Sequence, residues 1–133
     1  MSRSPGCSAV LSVASGSIAP VRITNAQVVG HTFLDGMVGD GYYPEHLVAR
    51  GQAILRRLCA RIEADPPADL AALYVLTNTA TKLFNDLQDE FFEADSEIET
   101  VAREAIAADF YFVAQSYGFE DADHEELVAE RDW

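Results

Sequence analysis

The stretch PEHLVARGQAILRRLCARIEADPPADL, residues 44–70, decides the fold. At 100° per residue, Leu47, Val48, Gly51, Ile54, Leu55, Leu58, Cys59 and Ile62 share one face. Arg50, Arg56, Arg57 and Arg61 occupy the other. Pro44 and Glu45 suit a first helical turn, where a missing N–H costs nothing and a carboxylate meets the positive end of the dipole. Asp65-Pro66-Pro67 stops the helix near residue 64. Gly51 lies inside the apolar stripe, at a cost of up to about 1 kcal/mol against Ala. A close approach by another helix would explain it.

Working outward, a second helix is expected from residue 68 or 69 to about 93. Leu70, Leu73, Leu76, Ala80, Leu83, Phe84, Leu87 and Phe91 form its buried stripe, while Asp86, Asp89 and Glu93 point away. Ser96-Glu97-Ile98-Glu99 reads as a capping box opening a third helix, which Gly118 ends as a C′ glycine. A short helix over about 122–130 follows, and Trp133 is the last residue. Before the first long helix, residues 31–37 suit a single turn, and 21–29 a short extended piece. No strand alternation of useful length follows Thr32. The expected fold is all-α, an antiparallel bundle of three long helices with short flanking helices. Residues 30–133 form its single helical domain. Residues 1–29, rich in Ser, Gly, Ala and Val, are expected to be a disordered extension. The apolar run at 9–19 is too broken by serines and a glycine for an export signal.

The chain has 133 residues, of which 49% are hydrophobic and 23% charged, so one domain with a real core is expected rather than disorder. No run of eighteen apolar residues offers a membrane span. Cys7 and Cys59 are too few and too far apart for a disulfide framework or a zinc ribbon. These features suit a soluble cytoplasmic protein. The net charge is −13, and 16 of the 22 acidic residues fall between Asp86 and Asp132, against only Arg103 and Arg131. Such a field repels nucleic acid and attracts cations or basic proteins.

Some residues break the local pattern, and such places are where function concentrates. Thr77, Thr81 and Asn85, with Asn78, make a polar stripe along the second long helix. They could bond a ligand, or their own helix and a neighbour. Asp109 projects from the apolar face of the third helix and needs a partner, for which Arg103, Lys82, Asn85, Tyr74 and Tyr117 are candidates. With a raised pKa it could act as a general acid or base. Thr77, Thr81, Asn85, Asp109, Glu99 and Arg103 are therefore the candidate ligand-binding set.

Metal chemistry finds little support. The chain has no Glu-x-x-His unit, only Asp121-x-x-His124, and no EF-hand loop. Asp121, Asp123 and Glu126 read as a solvated acidic face. No metal or cofactor is expected. No nucleophile elbow, P-loop or dinucleotide fingerprint is present, so no catalytic residue is assigned. Consecutive Phe110-Tyr111-Phe112 cannot all face inward, which exposes Tyr111 unless the C-terminal helix and Trp133 cover it. Asp86, Asp89, Glu93 and Tyr111 are the candidate partner surface.

Several blocks resemble landmarks of a small bacterial family, the domain of unknown function number 5713. They include Phe33-Leu34-Asp35-Gly36-Met37, Phe84-Asn85-Asp86-Leu87, Ser96 to Arg103, Tyr117-Gly118-Phe119 and Arg131-Asp132-Trp133. The resemblance spans about residues 23–133 and implies no activity, cofactor or site residue. The leading expectation is a non-enzymatic helical interaction protein whose acidic half meets a basic partner, with an immunity or inhibitor role as one form. Self-association through the arginine face is a second form. The alternative is a small-molecule or metal-binding bundle around Asn85 and Asp109.

Overall fold

A computed structural model describes residues 23–133. The expectations for a disordered extension and for the 9–19 segment fall mainly or wholly outside the described residues. Five helices follow in order: α1 (Ala26–Val29), α2 (Glu45–Ala64), α3 (Leu70–Glu93), α4 (Thr100–Ser116) and α5 (His124–Leu127). No strand occurs among the described residues. The fold is all-α with three long helices, as expected.

The α2 and α3 boundaries follow the sequence reading closely. Pro44 caps α2, and the Asp69 carboxylate accepts the Ala72 N–H to start α3. Leu47, Val48, Gly51, Leu55, Leu58, Cys59 and Ile62 are buried on α2; Leu73, Thr77, Ala80, Thr81, Phe84, Leu87 and Phe91 are buried on α3. A Cβ on Gly51 would sit 2.7 Å from Leu34 Cδ1 and 3.1 Å from Phe84 Cε1. The glycine thus admits both α3 and the loop before α2.

The start of α4 corrects the capping-box expectation. Helix α4 begins at Thr100, and its N-cap Glu99 makes no side-chain cap bond. Ser96 instead finishes α3. Asp95 adopts φ 61°, its N–H donates to Phe92 O, and the Ser96 N–H donates to Phe91 O at 2.8 Å. This is the paired-bond helix ending that usually uses glycine. The Ser96 hydroxyl donates to Tyr42 O at 3.0 Å, pinning the loop before α2. The same ending closes α4 with the expected glycine: Gly118 has φ 89°, and the Phe119 N–H donates to Ala114 O.

Two further corrections concern the flanks. The described part of the 21–29 stretch holds the one-turn helix α1, because the Asn25 side chain caps the Gln27 and Val28 amides. The last helix is a single turn, after which the chain runs on irregularly to Trp133.

Candidate functional site

Three long helices make three seams, and two of them are covered by irregular chain. Over the α2–α4 seam lies the segment containing α1. Glu63 of α2 accepts the Thr24 N–H at 2.8 Å, the Thr24 hydroxyl at 2.7 Å, the Asn25 N–H at 3.2 Å and the Tyr117 hydroxyl. Burial pushes the Glu63 carboxyl up, but these donors outweigh it and hold the group at about 2. The Asn25 amide donates to Ser116 O of α4 at 2.8 Å. Gln52 of α2 donates to Phe33 O at 2.8 Å.

Asp109 belongs to this same cover. Its Oδ1 lies 2.8 Å from His31 Nε2, and its Oδ2 accepts the Leu34 N–H at 2.6 Å. Asp109 is buried, and burial lifts its carboxyl above the ordinary value against the hydrogen bonds from Leu34 and His31. The His31 ring stacks on Phe112 at 3.9 Å and meets Phe33 edge-on at 4.8 Å. The expected partners Arg103, Lys82, Asn85, Tyr74 and Tyr117 are therefore replaced by His31 and a backbone amide. Those groups lie 75 and 78 residues away in sequence. Leu34 itself holds φ 57°, an uncommon conformation for a branched residue, and the Asp109 carboxylate braces it. Both carboxylate oxygens are spent on architecture.

The polar stripe of α3 borders the second seam, between α3 and α4, and holds the segment that covers it. Asn85 donates its amide to Glu130 O at 2.9 Å and accepts the Asp132 N–H at 2.9 Å. Asn78, seven residues earlier, donates to Glu126 O at 2.9 Å and accepts the Glu130 N–H at 2.8 Å. Between them the Thr81 hydroxyl bonds Thr77 O at 2.8 Å and approaches Leu127 O at 3.4 Å. Thr77 bonds only its own helix, to Tyr74 O. The stripe is thus a rail for the backbone of residues 126–132. The buried Leu127, Val128 and Trp133 press the other side of that segment into the core. Trp133 meets Phe84 edge-on at 6.4 Å, and Arg131 lies over its ring.

Glu99 and Arg103 lie at the start of α4, where Arg103 bonds Ile98 O and the Thr100 hydroxyl at 3.3 Å. Asp109 is six residues beyond Arg103, about 9 Å along the axis. The six candidate ligand residues are therefore split among three places. Asp123 is occupied as the N-cap of α5. Among the described residues no three His, Cys, Asp or Glu converge to hold a metal. Cys59 is fully buried, and burial pushes its thiol up to about 12.

The partner-surface candidates also separate. Tyr111 is half-buried, with His124 stacked on it at 3.8 Å, so α5 covers this aromatic. Asp89 is exposed along α3. Asp86 lines the outer α2–α3 face beside Arg50 and Arg57. Glu93 ends α3, next to the exposed residues the sequence reading did not select. These are Phe92 and Tyr42, 51% and 43% open to solvent. Val101, on the first turn of α4, is also exposed. Glu93, Asp95, Glu97 and Glu99 are all exposed around them. The Tyr42 hydroxyl is held above its ordinary range, chiefly by the neighbouring Glu99 carboxylate and then by desolvation and the charge of Glu97. Apolar surface in a negative field is the arrangement this end of the bundle presents. The available signal was Phe91-Phe92, since two adjacent aromatics on one helix cannot both enter the core.

The chain belongs to the family of unknown function DUF5713, whose model matches residues 27–133. No curated protein and no solved structure matches it.

Proposed function

We propose that this family member is a non-enzymatic interaction protein that takes a basic partner on the acidic end of its bundle. The reading is carried by one observation: Tyr42 and Phe92 stand open to solvent among Glu93, Asp95, Glu97 and Glu99. Aromatic anchors supply binding energy, while surrounding carboxylates steer a cationic partner and select against acidic ones. The polar residues that could have formed a ligand site hold backbone instead, which weighs against the small-molecule reading. An inhibitor or immunity role, with this end covering a basic toxin or nuclease surface, is the concrete form we favour. Its cellular setting would be the cytoplasm.

The test is affinity capture on the immobilised full chain, from a lysate of the source cells, against the variant F92A/E97K/E99K. The parent is expected to retain a protein of high isoelectric point at low salt and release it as ionic strength rises. The variant should lose it. Capture of nothing basic, or equal capture by both, refutes the proposal.

A further inference from the structure

The loop before α2 holds two Asp-Gly pairs, Asp35-Gly36 and Asp40-Gly41, and the fold treats them differently. Asp35-Gly36 sits inside a turn closed by the Met37 and Val38 N–H groups, which both donate to Leu34 O, at 2.8 and 3.2 Å. Leu34 and Met37, on either side of the pair, are each 1% exposed. A Cβ on Gly36 would lie 3.7 Å from Val101 Cγ1, so this turn rests on α4. By contrast, every residue from Val38 to Tyr42 is exposed, and a Cβ on Gly41 would meet nothing within 4 Å. The Gly41 N–H donates no hydrogen bond among the described residues. The Asp40 Oδ1 accepts the Tyr42 N–H at 3.0 Å, which keeps the carboxyl beside the peptide group between Asp40 and Gly41.

We propose that Asp40-Gly41 is a site of spontaneous covalent rearrangement, where the folded chain converts aspartate to isoaspartate at residue 40 while protecting residue 35. The Gly41 nitrogen attacks the Asp40 Cγ. An N–C bond forms, the amide proton departs with a carboxyl oxygen as water, and a five-membered succinimide closes. Water then adds at the main-chain carbonyl of Asp40 and breaks its bond to the Gly41 nitrogen. The main chain now runs through Cγ, and the former main-chain carbonyl is a free carboxylate. One water leaves and one enters, so the change is an isomerisation that needs no oxidant, reductant or cofactor. Glycine obstructs the attack least, because no side chain crowds its nitrogen. Ring closure also needs rotation about the aspartate Cα–C bond. Upstream, the Asp40 backbone is tied by its N–H to Met37 O at 3.3 Å, in exposed chain that moves more readily than the helices it joins. The same rotation at Asp35 would have to shift the buried Leu34, which Asp109 holds, and Met37. The product lengthens the main chain before Tyr42 by one methylene. It also turns the side-chain carboxyl that braces the Tyr42 N–H into main chain.

The test is prolonged incubation of the full chain, folded and in denaturant, near neutral pH, well above its isoelectric point of about 4.3. Samples are cut with a protease that cleaves before aspartate but not before isoaspartate, and the fragments are weighed. In the folded chain, cleavage before residue 40 should decline with time, through a species lighter by one water. Cleavage before residue 35 should hold steady. In denaturant both should decline at similar rates. D40E, whose carboxyl is one methylene too far to close the five-membered ring, should show no water-loss species at residue 40. Equal decline at 35 and 40 in the folded chain overturns the proposal. So does a folded chain intact at residue 40 over a period in which the denatured chain converts. Selective decline at 40 in denaturant overturns the part assigned to the fold. None of these readouts involves a partner, so failure here leaves the acidic-end proposal standing or falling on its own test.

Discussion

The two flanks of α3 face opposite problems. One flank is roofed by residues 126–132, an irregular stretch whose backbone groups need partners wherever water is excluded. That flank carries Asn78, Thr81 and Asn85, amides and a hydroxyl aimed at peptide groups. The other flank, toward α2, carries Leu83 and Asp86 with Arg57 and Arg61 across the groove. None of these caps an irregular backbone well. They suit another helix, which satisfies its own hydrogen bonds and asks only for apolar contact and opposite charge. The α2–α4 seam obeys the same logic as the roofed flank, with Glu63, Gln52 and Asp109 holding residues 24–34. The chemistry of a seam therefore announces the kind of element that covers it.

The contrast is broken most directly by truncating one apolar residue on each flank. Leu127 is fully buried under the roof, so Leu127→Ala should cost about 2–5 kcal/mol of unfolding free energy. Leu83→Ala should stay within about 0.5 kcal/mol. Denaturant titration of the two variants decides the matter. Equal losses would mean that the α2–α3 flank is already covered within one chain.

A smaller effect sharpens the same comparison. Asn85→Ala removes both a donor to Glu130 O and an acceptor from the Asp132 N–H. Water can reach these exposed backbone groups, so the cost should be about 1–2 kcal/mol rather than that of a sealed pair. Hydrogen exchange should show the Asp132 amide losing protection while amides in the middle of α2 keep theirs. Uniform loss across the bundle would instead make the stripe a general core element.

Much of this design was legible in the sequence, and the exceptions have physical causes. Pro44, Gly51 and Gly118 each signal a backbone requirement that only a few residue types meet, and all three appear where expected. The 3.6-residue stripes of α2 and α3 were equally plain, except that Leu83, expected inside the buried stripe of α3, stands 48% exposed at its edge. Ser96 misled because a Schellman ending built on Asp95, without glycine, resembles the start of the following helix. The Asn78–Asn85 stripe was visible at its heptad spacing, but its occupant was not. An irregular segment contributes backbone atoms, and backbone atoms leave no side-chain pattern to read. Asp109 was recognised as needing a partner, yet His31 and the Leu34 amide are distant in sequence and meet it only after the chain folds over α4. The helical period already places Phe91 in the buried stripe and leaves Phe92 outside it, yet period alone does not say whether another segment covers an outward aromatic, so Phe92 went unselected.

The smallest expected effect concerns the covered α2–α4 seam and depends on pH. Glu63 falls from its ordinary 4.5 to about 2 in the folded chain, despite the opposing push of burial, because Tyr117, Thr24 and Asn25 donate to it. A depressed carboxyl binds its proton more weakly when folded than when unfolded, so its contribution is full above about pH 4.5. That contribution drains away as pH falls toward 2. The other carboxylates of this acidic chain titrate in the same range, so the informative quantity is the stability difference between parent and Glu63→Gln. That difference should be greatest at neutral pH and shrink steadily between pH 4.5 and 2, followed by denaturant titration at each pH. Glu63→Gln keeps a carbonyl acceptor for some of the donors, so part of the hydrogen bonding survives and the loss at neutral pH should stay below about 2 kcal/mol. A difference that does not change with pH would mean that Glu63 holds the segment by shape alone. The rule drawn from the seams would then lose its charged member and rest on amides and hydroxyls.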